Sequence, residues 1–357
     1  MFRFGRSAGA ILCLAVIFLQ SGAAQSAKRT VALRDLVQPS DPLSAHSLVF
    51  DATFAGQAVE YLDSKDGGLA SRMVESAAVA HILAHATNFD YDVPKDSAQA
   101  LVASLLGPEA KHAERRATCE QSIAYFTGPM LRDPHWVGDV LRYLPADFRF
   151  NGTLFLTFGY DIGVAFRQNA SLNCTHAHFK NQQELLYYAI HELHHTGYMS
   201  YQTPPKLADI KSCADLLKLV EYSTQLEGMA VLAAYKRRSD DKALADDADY
   251  ASLQDAAAME ADEASYFNDY NYLKSRGTEP VDAEAWAVID RMSSGHRLWY
   301  RVGARMAHRI EDAKGRAVLT ELVRQGPQAF IATYRSLPSP QTRPSRPPAA
   351  SSAKRCR

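Results

Sequence analysis

The run ELLYYAIHELHHTGYMS, residues 184–200, decides how this chain is read. Leu185, Leu186, Ala189, Ile190 and Leu193 recur at helical spacing and form one apolar face, and Gly197 offers a stop, so an amphipathic helix is expected here. On such a helix the pattern HExxH, met by His191, Glu192 and His195, acquires a geometry. Residues four apart lie one turn above the other, so the two imidazoles can converge on a single tetrahedral ion with Glu192 beside it. His194 faces away from that direction and is at most a neighbour of the site.

Two imidazoles leave a zinc site incomplete, because catalytic sites usually supply three protein ligands and keep the fourth position open. One metalloprotease pattern would place Gly three residues and His six residues after the second His. Tyr198 and Tyr201 stand there instead, which excludes it. A carboxylate from a second helix is the other common solution, and LLKLVEYSTQLEGMAVLAAY, residues 216–235, offers Glu221 and Glu227. Glu227 is preferred. Ser223, Ala230 and Ala234 share its face and Gly228 adjoins it, and such small side chains let two helices approach closely. Glu221 has the bulkier neighbours Leu217 and Val220. His176 and His178, in NCTHAHF, are a weaker alternative pair of metal ligands.

Working outward, the patterning changes at Phe148. RFNGTLFLTFGYDIGVAF, residues 149–166, carries a strand and hairpin signal around Leu154 to Phe166, and ASLNCT adds a further strand. Residues Ser47 to Tyr143 read as mostly helical, and helical patterning resumes after the strands until about Ala332. The acidic, alanine-rich stretch from Asp240 to Tyr270 reads as a solvated helix face. The expected fold class is α+β, predominantly helical, with a small antiparallel sheet beside the HExxH helix. The expected division is 1–24 as a signal peptide, 25–147 as a helical N-terminal part, 148–336 as the domain carrying the motif, and 337–357 as a Pro-, Ser- and Arg-rich disordered tail.

Composition narrows the partners. Of 357 residues, 47% are hydrophobic and 22% charged, as in ordinary soluble globular chains, and the formal charge of -1 provides no field to attract nucleic acid or an anionic membrane. Arg3 and Arg6 precede the apolar run AGAILCLAVIFL, residues 8–19, which is too short to span a bilayer and ends in small residues. This is a secretory leader, cut near Gln25, and the protein is expected to be exported, periplasmic or secreted. Loss of Arg3 and Arg6 leaves 37 basic against 40 acidic residues. Cys119, Cys174, Cys213 and Cys356 remain, with three full pairings open and no CxxC spacing.

HExxH followed by a helix bearing EGMA, residues 227–230, resembles the gluzincin type of metallopeptidase, in which a Glu from a second helix completes the site. EGxA also occurs around that Glu in aminopeptidase N relatives. NGTLFLTFGYDIGVAF, HELHHTGY, EGMA and YRVGARMAHRIEDAKGR (residues 300–316) together resemble, over about Asn151 to Tyr334, an uncharacterised bacterial family described as zinc-dependent peptidases. The resemblance implies a zincin-like domain over 148–336, zinc as cofactor, His191, His195 and Glu227 as its ligands, and Glu192 as the base that activates water. A peptide or protein would be the substrate, its backbone lying on an edge strand. Tyr300 and His296, in SSGHRLWYRVGARMA, are the candidates for steadying the developing oxyanion. Thermolysin-like enzymes carry an Asp four residues after the ligand Glu. Val231 stands at that position, so the groups that orient the ligands must differ. A zinc-containing peptide-binding module without turnover, and a zinc amidase acting on a non-protein amide, are the rival readings.

Overall fold

The computed structural model describes residues 29–338; the expected leader and cleavage site, Cys13, Cys356 and nearly all of the expected tail lie outside the described residues. The fold is α+β and predominantly helical, as the periodicity predicts, around one five-stranded sheet of order β1-β2-β3-β5-β4. These strands are Thr30–Ala32, Ser47–Asp51, Asn151–Thr157, Gly163–Phe166 and Asn169–Asn173, numbered in chain order.

The sheet is not antiparallel as expected but mixed. β1 with β2 and β4 with β5 run antiparallel, whereas β2 with β3 and β3 with β5 run parallel. Nor do β3 and β4 form the expected hairpin. β5 lies between them, and the hairpin is β4–β5, turning through Arg167 in a left-handed conformation (φ 57). A parallel pair needs a long crossover, and the helices between residues 51 and 151 provide one for β2 and β3. The sheet therefore draws strands from both sides of residue 148. Leu48, Phe50, Leu154, Leu156 and Leu172 are fully buried in it.

The HExxH helix, Gln183–Met199, packs against β4 and β5. It runs through Gly197 rather than stopping there, and a Cβ at that position would collide with Leu144. Against it lies the long helix Cys213–Asp240, opened by a capping box in which Ser212 and Asp215 satisfy each other's backbone donors. Two contacts pin this antiparallel pair near its ends. The buried Arg238 donates to both carboxylate oxygens of Glu184 at 2.8 and 2.5 Å, its guanidinium 4.3 Å from the ring centres of Tyr187 and Tyr250. At the far end Tyr198 Oη donates to Gln225 Oε1 at 2.9 Å. Between the two pins, His191 and His195 come opposite Glu227.

The small-residue face beside Glu227 does mark a close helix contact, though with a different helix. Gly228 meets Gly303 of the Leu298–Lys314 helix backbone to backbone, so no Cβ fits at either position. A disulfide joins Cys119, in the helix His112–Thr127, to Cys174 just past β5, and Cys213 is buried with no disulfide partner among the described residues.

Candidate metal centre

Three ligand-type atoms meet at the pinned crossing. Nε2 of His191 lies 3.0 Å and Nε2 of His195 3.1 Å from the same oxygen, Oε2 of Glu227. The two rings are 4.5 Å apart and nearly perpendicular, at 80°. One nitrogen or oxygen from each of these residues falls within 4.8 Å of the others, and among the described residues this is the one group of three or more His, Cys, Asp or Glu side chains that does so. With zinc bonds of about 2.0–2.1 Å, the edge of a tetrahedron is about 3.3 Å, close to these separations. Two imidazoles and a carboxylate are a donor set that zinc accepts, so the residues fit the ion.

The charges at the crossing are set by burial and by each other. Burial and the neighbouring His195 hold His191 below the ordinary imidazole pKa. For His195 burial acts the same way, but Glu227 and Glu192 outweigh it and the net shift is upward. Glu227 is held well below the usual carboxylate range, because the two imidazoles overcome the upward push of burial. Nδ1 of His195 is buried with no acceptor among the described residues, and Val231, which lines the same cavity, offers none.

Glu192 is 5% exposed and points from the same helix toward the edge strand β4. Burial, opposed by His195 and reinforced by Glu227 and Asp161, pushes its carboxyl up to about 8. Room for it comes from Gly163. A Cβ there would stand 2.7 Å from Glu192 Oε1 and 2.8 Å from its Cγ.

These side chains open into a cavity of about 900 Å³. Ile162 to Ala165 of β4 and its preceding turn form one wall, and Tyr188, Tyr300 and Arg297 are among the groups facing it. Tyr300 stacks at 19° to His191 with ring centres 6.5 Å apart, and burial with the nearby Glu227 raises its phenol pKa. His296 does not join it. That residue is exposed and does not line the cavity, because the chain turns at Arg297 (φ 53) and sends the two in different directions. Glu221 is buried elsewhere and accepts from Tyr270 Oη at 2.7 Å. His194, fully buried, contacts the Tyr143 carbonyl at 3.3 Å. His176 and His178 stack on each other at 5.2 Å on the cavity wall, without a third ligand-type group close enough to complete a site.

Sequence reasoning passed over Gly163, Arg297 and Asp249. Asp249 sits in the stretch expected to be a solvated face, yet it is 4% exposed and accepts from Arg297 Nε at 2.6 Å and Arg301 Nε at 2.9 Å. A buried carboxylate needs such partners, but the partners lie about fifty residues away and leave no local signal. Gly163 had one: a glycine within an otherwise apolar strand marks close approach of another group.

Residues 135–337 match the model of a family described as "Putative zinc dependent peptidase (DUF5700)". No curated protein and no solved structure matches the chain.

Proposed function

Since that match spans more than half of its length, the chain belongs to the family of zinc-dependent peptidases so described, and we propose that it hydrolyses peptide bonds by a gluzincin-type mechanism. Family membership supports a zinc metallohydrolase in general. The peptidase reading and its residue roles are carried by one observation, the meeting of His191, His195 and Glu227 beside a buried Glu192 in an open cavity.

In this reading His191, His195 and Glu227 hold zinc. Zinc bound there supplies Lewis acidity and lowers the pKa of a coordinated water toward about 7. Glu192, kept next to the site by the room at Gly163, takes the proton of the attacking water and returns it to the leaving amine. Burial raises the proton affinity of this carboxyl, which strengthens it as the acceptor of that proton. Tyr300, whose hydroxyl keeps its proton at neutral pH, donates to the developing oxyanion; the exposed His296 has no part in it. The free edge of β4 pairs with the extended substrate backbone, fixing the scissile bond over Glu192.

We place the protein outside the cytoplasm, periplasmic or secreted, on the strength of the leader-like run and of the Cys119–Cys174 disulfide, which suits an oxidising compartment. Peptides or proteins are its proposed partners, in keeping with a formal charge of -1 that offers no field for nucleic acid.

The test pairs metal analysis with cleavage of an unbiased peptide library. Zinc should be present at one equivalent and cleavage should stop on chelation, and Glu192→Gln should keep the zinc and lose turnover. Undiminished turnover in that variant would remove Glu192 from the mechanism, and zinc without cleavage of any peptide would favour the binding module or an amidase with another substrate. The space kept clear for Glu192 speaks against a module that only binds, which has no use for a base there.

A further inference from the structure

Two cationic side chains line the cavity, and they are differently employed. Arg238 is enclosed by Glu184, Tyr187 and Tyr250 and is 1% exposed. Arg297 is held only from behind. Asp249 accepts from its Nε at 2.6 Å, and its guanidinium lies 3.8 Å from the centre of the Tyr300 ring. Neither of its Nη groups has an acceptor among the described residues, and its side chain keeps 41% of its accessibility.

Three features make this an aimed cation rather than a loose surface arginine. Asp249 is shared with Arg301, which also reaches Asp262 at 3.7 Å, so the carboxylate behind Arg297 is not its alone and leaves its Nη groups unneutralised by a direct partner. A planar cation stacked on an aromatic ring and gripped at Nε has little rotamer freedom left to lose on binding. The backbone at Arg297 is left-handed (φ 53, ψ 39), an arrangement costing about 1 kcal/mol for a residue with a Cβ, and it directs the side chain into the cavity while His296 points out of it.

We propose that Arg297 binds a carboxylate of the substrate through its two free Nη groups, making the enzyme selective for peptides that carry an anion within one or two residues of the scissile bond. The assignment rests on the peptidase reading given above. The spacing supports it. The His191 and Tyr300 rings are 6.5 Å apart and the Arg297 guanidinium lies 3.8 Å from the centre of the Tyr300 ring, so it is at most about 10 Å from the His191 ring. A residue spans at most about 3.6 Å and a charge-assisted hydrogen bond about 2.8 Å, so a carboxylate held there belongs to the residue next to the scissile carbonyl or to the one after it. Such a carboxylate is either the chain terminus, which makes the enzyme a carboxypeptidase, or an Asp or Glu side chain.

The experiment uses three N-acetylated peptides of otherwise equal, neutral sequence: one with a free C-terminal carboxylate, one with a C-terminal amide, and one amidated with Glu just past the scissile bond. Binding is measured by calorimetry on the zinc-loaded Glu192→Gln protein, and kcat and KM on the protein with Glu192 intact, each with and without Arg297→Gln. Arg297→Gln is expected to weaken binding and raise KM about 10- to 100-fold more for an anionic peptide than for the neutral amide, and Arg297→Lys to restore part of that difference. Preference for the free terminus identifies a carboxypeptidase, and preference for the Glu peptide an acid-directed enzyme. Equal losses on anionic and neutral peptides, with zinc content and melting temperature unchanged, would overturn the assignment, as would cleavage blind to carboxylates in the parent protein. A zinc-loaded parent that neither binds nor cleaves any peptide would overturn the peptidase reading and this assignment with it.

Discussion

Replacing Gly163 by Ala adds one methyl group at the place where β4 passes the Glu192 carboxyl. Gly163 does not use the left-handed region, so Ala strains no backbone there, and the β4–β5 pairing of Gly163 with Leu172 involves only main chain. The new Cβ would stand 2.7 Å from Glu192 Oε1, whereas ordinary contact begins at 3.4 Å, so the carboxyl must retreat by about 0.7 Å. Glu192 is the end of a flexible side chain and can move. The cost to stability is therefore about 1 kcal/mol, at the low end for overpacking. Misplacing a catalytic group by about 1 Å is worth about 100-fold, so kcat should fall about 10- to 100-fold, equivalent to about 1.4–2.7 kcal/mol in the barrier. The ligands are untouched, so zinc content should not change. Steady-state kinetics on a cleaved library peptide, metal content and a thermal melt read these three quantities. Gly138→Ala, where a Cβ meets nothing within 4 Å, serves as the neutral control. Full kcat in Gly163→Ala, with fold and zinc intact, would refute the claim that this glycine keeps room for a working base.

Three further outcomes follow from the same geometry. Glu227→Ala should lower zinc affinity by at least 10-fold in chelator competition, since one of three ligands is removed; undiminished occupancy would mean that another group completes the site. His81 and His85 are buried and neutral, their pKa values lowered mainly by burial to about 3 and about 4 from 6.5. The unfolded chain thus binds the extra protons first, and stability that is complete above about pH 6.5 should drain away as pH falls toward 4 and below, by an amount on the order of a few kcal/mol. Denaturation midpoints measured in chelator should show this loss, and a pH slope unchanged by His81→Leu would refute the role given to His81. Removing the Cys119–Cys174 disulfide, which spans 55 residues, should cost up to about 4 kcal/mol by the loop-entropy relation, so an unshifted denaturation midpoint in the double Cys→Ala variant would contradict it.

What the chain alone determines is what its local geometry determines. His191, Glu192 and His195 were legible because an i, i+4 spacing on an apolar-faced helix fixes where side chains go without reference to the rest of the molecule. Glu227 could be chosen over Glu221 from its small neighbours, although the close approach they announce is to Gly303 and not to the HExxH helix. The strands were legible as strands, but their order and direction were not, since β2 reaches β3 across a hundred residues and β5 inserts between β3 and β4. Only the tertiary structure brings Gly163 against Glu192, Asp249 behind Arg297, and Tyr300 rather than His296 over the ligand ring. Each of those relations joins segments whose separation along the chain carries no period, so it exists only once the helices and the sheet have closed around the site.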